Sequence, residues 1–202
     1  MIAIIDYDAG NLKSVQKAVE FLGEKTVVSR TSDEILAADK VILPGVGSFG
    51  DAMQKLKNYH LVDTIYKVVE KKLPFLGICL GLQLLFDRSD ESEGVEGLGI
   101  LKGEILRIPE EPELKIPHIG WNSLELMNSG RLFAQLPQNE YVYFVHSYYL
   151  KAADTSIVKA VTQYGNTTIH ASVEKDNVFA CQFHPEKSGD VGLKILKNFL
   201  NI

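Results

Sequence analysis

The first half of the chain alternates between short apolar runs and longer amphipathic stretches. Ile2 to Asp6 reads as a buried strand. Asn11 to Leu22 reads as a helix, because Leu12, Val15, Val19 and Leu22 fall on one face at the helical spacing. Thr26 to Ser29 and Val41 to Leu43 are strand-like. Asp51 to Leu56 and Leu61 to Lys71 return to the helical period. Phe75 to Ile78 is a further apolar strand, followed by an apolar helix over Leu82 to Phe86. Strands separated by helices predict a parallel sheet covered on both faces.

The second half changes period. Leu98 to Leu101, Glu104 to Ile108, Trp121 to Leu126, Tyr141 to His146, Ile157 to Gln163, Thr168 to Val173 and Val178 to Phe183 are strand-like. They are joined by short turns such as Tyr164-Gly165-Asn166, and Gly192 to Leu200 closes the chain as a helix. The expected fold class is therefore α/β: a mostly parallel central sheet flanked by helices, with antiparallel additions in the C-terminal half. No repeat or linker divides the sequence, so one domain over 1–202 is expected. The acidic stretches Asp87 to Glu96 and Glu110 to Glu113 read as solvated loops. In an open parallel sheet, ligands gather beyond the C-terminal strand ends. The loops after Asp6, Leu43, Ile78 and Phe183 are thus the places for a site.

Composition narrows the classes. The chain has 202 residues, 46% hydrophobic and 23% charged, which is ordinary for a compact domain with a real core. A formal net charge of -5 without a long basic run gives no nucleic-acid surface. Two cysteines do not make a disulfide framework, so reduced thiols and a cytoplasmic setting are expected. The start Met1-Ile2-Ala3-Ile4-Ile5-Asp6 is a strand, not a signal peptide. The longest apolar stretch, Leu73 to Phe86, is broken by Pro74, Gly77, Gly81 and Gln83 and is too short to span a membrane. The histidines are scattered, so no metal and no cofactor is expected.

Chemistry concentrates in two segments. In Gly77-Ile78-Cys79-Leu80-Gly81, a cysteine stands at a strand-to-helix bend with a glycine two residues to either side. This is the pattern of a nucleophile elbow. The glycines keep side chains away from the turn, and a following helix N-terminus brings partial positive charge to the sulfur. The other cysteine, Cys181, lies inside a strand pattern and reads as a core residue. The second segment is Phe183-His184-Pro185-Glu186-Lys187. His184 and Glu186 project to the same side of an extended backbone, as a base and its orienting partner would. Cys79, His184 and Glu186 form a candidate triad, recognised by role rather than chain order.

One further motif points two ways. Gly45-Val46-Gly47-Ser48-Phe49-Gly50 matches the dinucleotide-binding pattern G-x-G-x-x-G. However, it does not follow the first strand, Pro44 distorts its approach, and the acidic residue about 20 positions on, Glu70, lies in a predicted helix. The alternatives are an oxyanion site, for which accessible backbone N–H groups are suited, and a loop that merely needs glycine dihedrals.

Together, Pro44-Gly45-Val46-Gly47, the Cys79 elbow and His184-Pro185-Glu186 resemble the class I (triad-type) glutamine amidotransferases. Asp8-Ala9-Gly10-Asn11-Leu12, Pro117-His118-Ile119-Gly120-Trp121-Asn122 and Tyr143-Phe144-Val145-His146-Ser147-Tyr148 extend the likeness over nearly the whole chain. Within that family, Pro-Gly-Val-Gly followed by Ser48-Phe49-Gly50 looks like the branch of glutaminase subunits of imidazole glycerol phosphate synthases. The departures, Leu82 for a frequent methionine and Ser147 for a threonine, leave the triad residues intact.

The resemblance implies hydrolysis of L-glutamine through a Cys79 thioester. Ammonia would pass to a separate (β/α)-barrel cyclase subunit, which would convert PRFAR to imidazole glycerol phosphate and AICAR in histidine biosynthesis. It implies oxyanion donors at Leu80 and at Val46 or Gly47. Gln83, one helical turn past Cys79 and on the same side, is a candidate for holding the substrate, with His146 and Tyr148 at another strand end. Asn11, His118, Trp121 and Lys187 are candidates for the partner-facing surface, since an aromatic in a polar-flanked loop often anchors an interface. A glutaminase serving another synthase, or an inactive partner-binding module, are the other readings of the same pattern.

Overall fold

The computed structural model describes residues 1–202. The N-terminal half runs β1 (Ile2–Ile5), α1 (Leu12–Phe21), β2 (Thr26–Ser29), α2 (Ser32–Leu36), β3 (Lys40–Leu43), α3 (Phe49–Asn58), α4 (Leu61–Glu70), β4 (Phe75–Ile78) and α5 (Leu80–Gln83). The C-terminal half continues with β5 (Arg88–Ser89), β6 (Gly103–Arg107), β7 (His118–Ser123), β8 (Glu125–Leu126), β9 (Tyr141–His146), β10 (Tyr148–Ala152), β11 (Val158–Tyr164), β12 (Thr167–Lys175), β13 (Val178–Cys181) and α6 (Gly189–Leu200).

An eight-stranded sheet in the order β2-β1-β3-β4-β13-β12-β11-β8 forms the centre. The block from β2 to β13 is parallel, and β12, β11 and β8 extend it antiparallel. β1, β3, β4 and β13 are buried along almost their whole length, as strands covered on both faces must be. One core layer packs α2, α3, α4 and the elbow region against the sheet, and the other packs α1 and α6. The mostly parallel sheet with antiparallel additions is the architecture expected from the sequence.

Several local expectations are corrected. The elbow helix spans Leu80–Gln83 rather than Leu82 to Phe86. Leu98 to Leu101 forms no strand; its N–H groups bond into the turn after α5, Leu98 to Leu84 and Leu101 to Leu85. β13 stops at Cys181, and the chain leaves the sheet two residues earlier than the apolar run suggests. β10 is unforeseen; it pairs with β6 in a small second sheet. The region 87–96 is not simply a solvated loop. β5 lies within it, and Glu91 and Ser92 bond the start of α3.

β7 and β9 form a separate antiparallel ribbon, with His118 opposite His146 and Trp121 opposite Tyr143. The pleat turns His118 inward and Ile119 and Trp121 outward.

Candidate active site

β4 and β13 are adjacent parallel strands, with Ile78 opposite Cys181. Their C-terminal ends therefore deliver the two chemical segments side by side. At the end of β4, Cys79 has φ 55° and ψ -107°, a left-handed conformation that a non-glycine residue adopts only under strain. Both flanking glycines are forced by backbone contact rather than by access to the sulfur. A Cβ on Gly81 would stand 1.9 Å from the Leu43 carbonyl oxygen, and one on Gly77 would stand 2.7 Å from the Gly81 carbonyl. The turn is thus wedged between β3 and β4. The single turn of α5 is too short to develop the helix dipole that the sequence suggested, so the strained elbow is what places the sulfur.

His184 follows β13, its N–H held by the Tyr143 carbonyl at 2.9 Å. The segment is not extended: Pro185–Lys187 is a 3₁₀ turn, clamped where Ser188 Oγ donates to the His184 carbonyl at 2.6 Å. The turn still brings the two side chains together. His184 Nδ1 lies 2.7 Å from Glu186 Oε1, with both side chains buried. A carboxylate only accepts, so Nδ1 carries a hydrogen and Nε2 is the nitrogen left to exchange a proton. Nε2 is buried and makes no well-formed hydrogen bond. Burial opposes charge on this imidazole, but Cys79 and Glu186 outweigh it and raise His184 to about 9. Cys79, His184 and Glu186 are therefore one cluster. By contrast Cys181 is fully buried, and burial pushes its thiol well up.

The same Glu186 oxygen accepts from Asn11 Nδ2 at 2.5 Å. Asn11 thus touches the candidate triad as well as opening α1. Its loop is fixed by Arg30, which bonds Asp6 at 2.6 Å and Asp8 at 2.8 Å.

Across the sulfur, the Leu80 N–H points at the Gly45 carbonyl, 3.3 Å away. The candidate oxyanion donor is therefore engaged by the very loop proposed to complete the hole. Gly47 has φ 110°, open only to glycine, and Val46 is 41% exposed. Tyr7 Oη donates to the Pro44 carbonyl at 2.9 Å and anchors the base of this loop.

A cleft of about 300 Å³ opens at the sulfur, bounded by Val46, Gly47, Cys79, Leu80, Gln83, Glu91 and the 145–148 segment. Gln83, His146 and Tyr148 are all here. Gln83 is buried and donates to the Tyr148 carbonyl at 3.0 Å and to Gln182 Oε1 at 3.1 Å, while its own Oε1 makes no bond within the protein. Burial lowers His146 to about 3 and His118 to about 4, so both are neutral. They lie 3.0 Å apart, nitrogen to nitrogen, and His118 stacks on Phe144 and Tyr164. Of the expected partner-facing residues, Trp121 and Lys187 are exposed. Asn11 is half-buried on Glu186, and His118 is turned inward and closed off from any partner.

Two site residues escaped sequence reading. Glu91 looked like one charge in an acidic loop, yet it lines the cleft. Gln182 sits within an apolar strand pattern, and its place two positions before the histidine was the one signal that could have pointed to it. Glu91 also decides the glycine-loop question. Its Oε2 accepts the Phe49 N–H at 2.7 Å, and Ser92 Oγ accepts the Gly50 N–H at 2.9 Å. The N-terminus of α3 is capped by the chain itself and offers no cradle to a pyrophosphate.

The fold and the strained cysteine elbow define the amidotransferase class. A model of class-I glutamine amidotransferases matches residues 3–202, and the chain belongs to that family. Among known proteins, the imidazole glycerol phosphate synthase subunit HisH of Methanocaldococcus jannaschii is 51% identical over 202 residues, covering 100% of both chains. The HisH subunit of Lactococcus lactis is 50% identical over 199 residues, covering 98% of this chain and 97% of that one. A solved glutamine amidotransferase superposes with a TM-score of 0.77 at 19% identity, covering 100% of this chain and 98% of that one. PurLQS from Thermotoga maritima gives 0.70 at 22%, covering 99% and 97%. At these identities the solved structures establish the fold alone.

Proposed function

We propose that the chain is the glutaminase subunit of an imidazole glycerol phosphate synthase, acting in histidine biosynthesis. The observation that carries this reading is end-to-end identity of about half to subunits bearing that name. The site supports it with an intact cysteine, histidine and carboxylate cluster.

The chemistry follows from the geometry. His184, oriented by Glu186, holds the proton of the pair and keeps Cys79 as thiolate, and the sulfur attacks the side-chain amide carbon of glutamine. The tetrahedral oxyanion is held by the Leu80 N–H and a donor from Val46 or Gly47. The intermediate collapses by breaking the C–N bond, and His184 protonates the departing nitrogen to give ammonia. Water, deprotonated by His184, then cleaves the thioester to glutamate and restores the thiolate beside a protonated imidazole. Glu91 offers a carboxylate to the substrate ammonium, and Gln83 Oε1 a second acceptor.

Ammonia passes to a partner subunit, for which a (β/α)-barrel cyclase acting on PRFAR is the proposed form. Trp121 and Lys187 belong to the surface it meets. The chain works as one domain in the cytoplasm; no helix is long and apolar enough to cross a membrane. Because the Gly45 carbonyl occupies the Leu80 N–H, the isolated chain is expected to be a poor glutaminase that its partner switches on. The test is steady-state ammonia release from the chain alone and with the cyclase and its ligand. Activation of at least tenfold is expected, and it should be abolished in Cys79→Ala. Equal rates with and without the partner remove the gating, and a fully active Cys79→Ala removes the mechanism.

A further inference from the structure

Gln182 is fully buried, and its side-chain amide bonds only Gln83 and Cys79. Which end of the amide meets the sulfur follows from fixed donors and acceptors around it. The Tyr148 carbonyl can only accept, and it receives His146 Nδ1 at 2.9 Å and Gln83 Nε2 at 3.0 Å. Gln83 must therefore turn its NH₂ inward, because its oxygen there would face another oxygen. Its second N–H reaches Gln182 at 3.1 Å, which requires Gln182 to present Oε1. Gln182 Nε2 is then left on the sulfur, 3.7 Å from Cys79 Sγ. That distance suits a bond to sulfur, whose radius is larger than that of oxygen.

A side-chain N–H is a donor only, and the acceptor it rewards most is an anion. We propose that Gln182 is a positioning residue for the nucleophile: its amide N–H holds the Cys79 sulfur in its attacking orientation and supports the negative charge it carries while His184 holds the proton. His184 approaches from the end of the same segment, so one short stretch of chain supplies both groups that manage the sulfur. The carbonyl of Tyr148 receives donors from both sides, so this network orients groups and does not conduct a proton. The inference rests on the assignment of Cys79 as nucleophile.

A purely structural role, satisfying Gln83, makes a different forecast. Gln182→Glu keeps the shape and an oxygen for Gln83 but replaces the donor on the sulfur with an acceptor. Alkylation of Cys79 by iodoacetamide, mapped by peptide, is expected to slow about tenfold in this variant. With the cyclase and its ligand present, kcat for ammonia release should fall by a similar factor while KM stays within twofold. Gln182→Met, of similar volume and uncharged, should slow alkylation to the same degree and also raise KM, because Gln83 loses its partner. If Gln182→Glu does not fold, as judged by its melting temperature, the alkylation rate of Gln182→Met decides. Alkylation and kcat within twofold of the parent in a folded variant overturn the proposal. A parent label mapping to Cys181 instead overturns the nucleophile assignment itself, which is a separate failure.

Discussion

The two sides of the Cys79 sulfur are built differently. On the base side, His184 and Glu186 are buried, 2.7 Å apart and clamped by Ser188, and the imidazole is raised to about 9. On the oxyanion side, the Leu80 N–H is spent on the Gly45 carbonyl, and the loop beyond it carries an exposed valine and a glycine at φ 110°. The difference teaches where control resides. Proton transfer demands a fixed geometry that is costly to rebuild in each cycle. An oxyanion hole needs only a peptide plane to turn, and glycines make that turn cheap. A subunit regulated by its partner keeps the first rigid and makes the second conditional.

The rigid side is where the largest effects are expected. Glu186→Gln and His184→Ala should each lower partner-activated kcat by about 10²–10⁴. The double variant should lose little more than the worse single one, since both act through one proton transfer. Losses that multiply would mean the two residues work independently.

A smaller effect probes the conditional side. Tyr7→Phe removes the hydroxyl that anchors Pro44. It should raise ammonia release by the isolated chain several-fold, in line with a bond worth about 1 kcal/mol, and leave the partner-activated rate nearly unchanged. A drop in both rates would show that the anchor serves the competent loop instead.

The smallest effects lie in stability against pH. His184 is raised to about 9 from an ordinary value of 6.5, so the folded state holds its proton more tightly. Its contribution is full below pH 6.5 and is lost as pH rises toward 9. His146 and His118 are lowered by burial to about 3 and about 4, so they oppose folding as pH falls below 6.5. These histidines together place the stability maximum near neutrality. In thermal melts, His184→Gln should flatten the decline between pH 6.5 and 9, and His146→Gln the decline between 6.5 and 3. Each change should amount to a few degrees, at roughly 2–4 °C per kcal/mol. Unchanged slopes would refute the assignment of these groups.

The same contrast explains what the sequence could tell. Apolar runs flanked by helical periods exposed the central parallel strands β1, β3, β4 and β13, because both faces of those strands are buried and nearly all their residues are apolar. The cysteine and histidine were legible for a related reason: each stands where such a run ends. The pairing of His184 with Glu186 was legible but for the wrong cause. Spacing of two suggested an extended segment, whereas a 3₁₀ turn held by Ser188 makes the contact. Glu91 and Gln182 were hidden because their roles depend on chain that is remote in sequence, the start of α3 and the side chain of Gln83. The bond from Leu80 to Gly45 was beyond any pattern of side chains, being backbone to backbone.

The pleat of β7 carries one more consequence, for how this gene can change. Its outward positions, Ile119 and Trp121, face solvent, while His118 on the opposite face reaches the histidine pair behind the cleft. Substitution at either face is a local event. Insertion or deletion of a single codon between 118 and 121 is not, because every residue on one side of it would pass to the opposite face, so that the tryptophan would turn inward or the histidine outward. Substitutions on this ribbon should therefore act one position at a time, while its length should be held fixed across descendants of the chain.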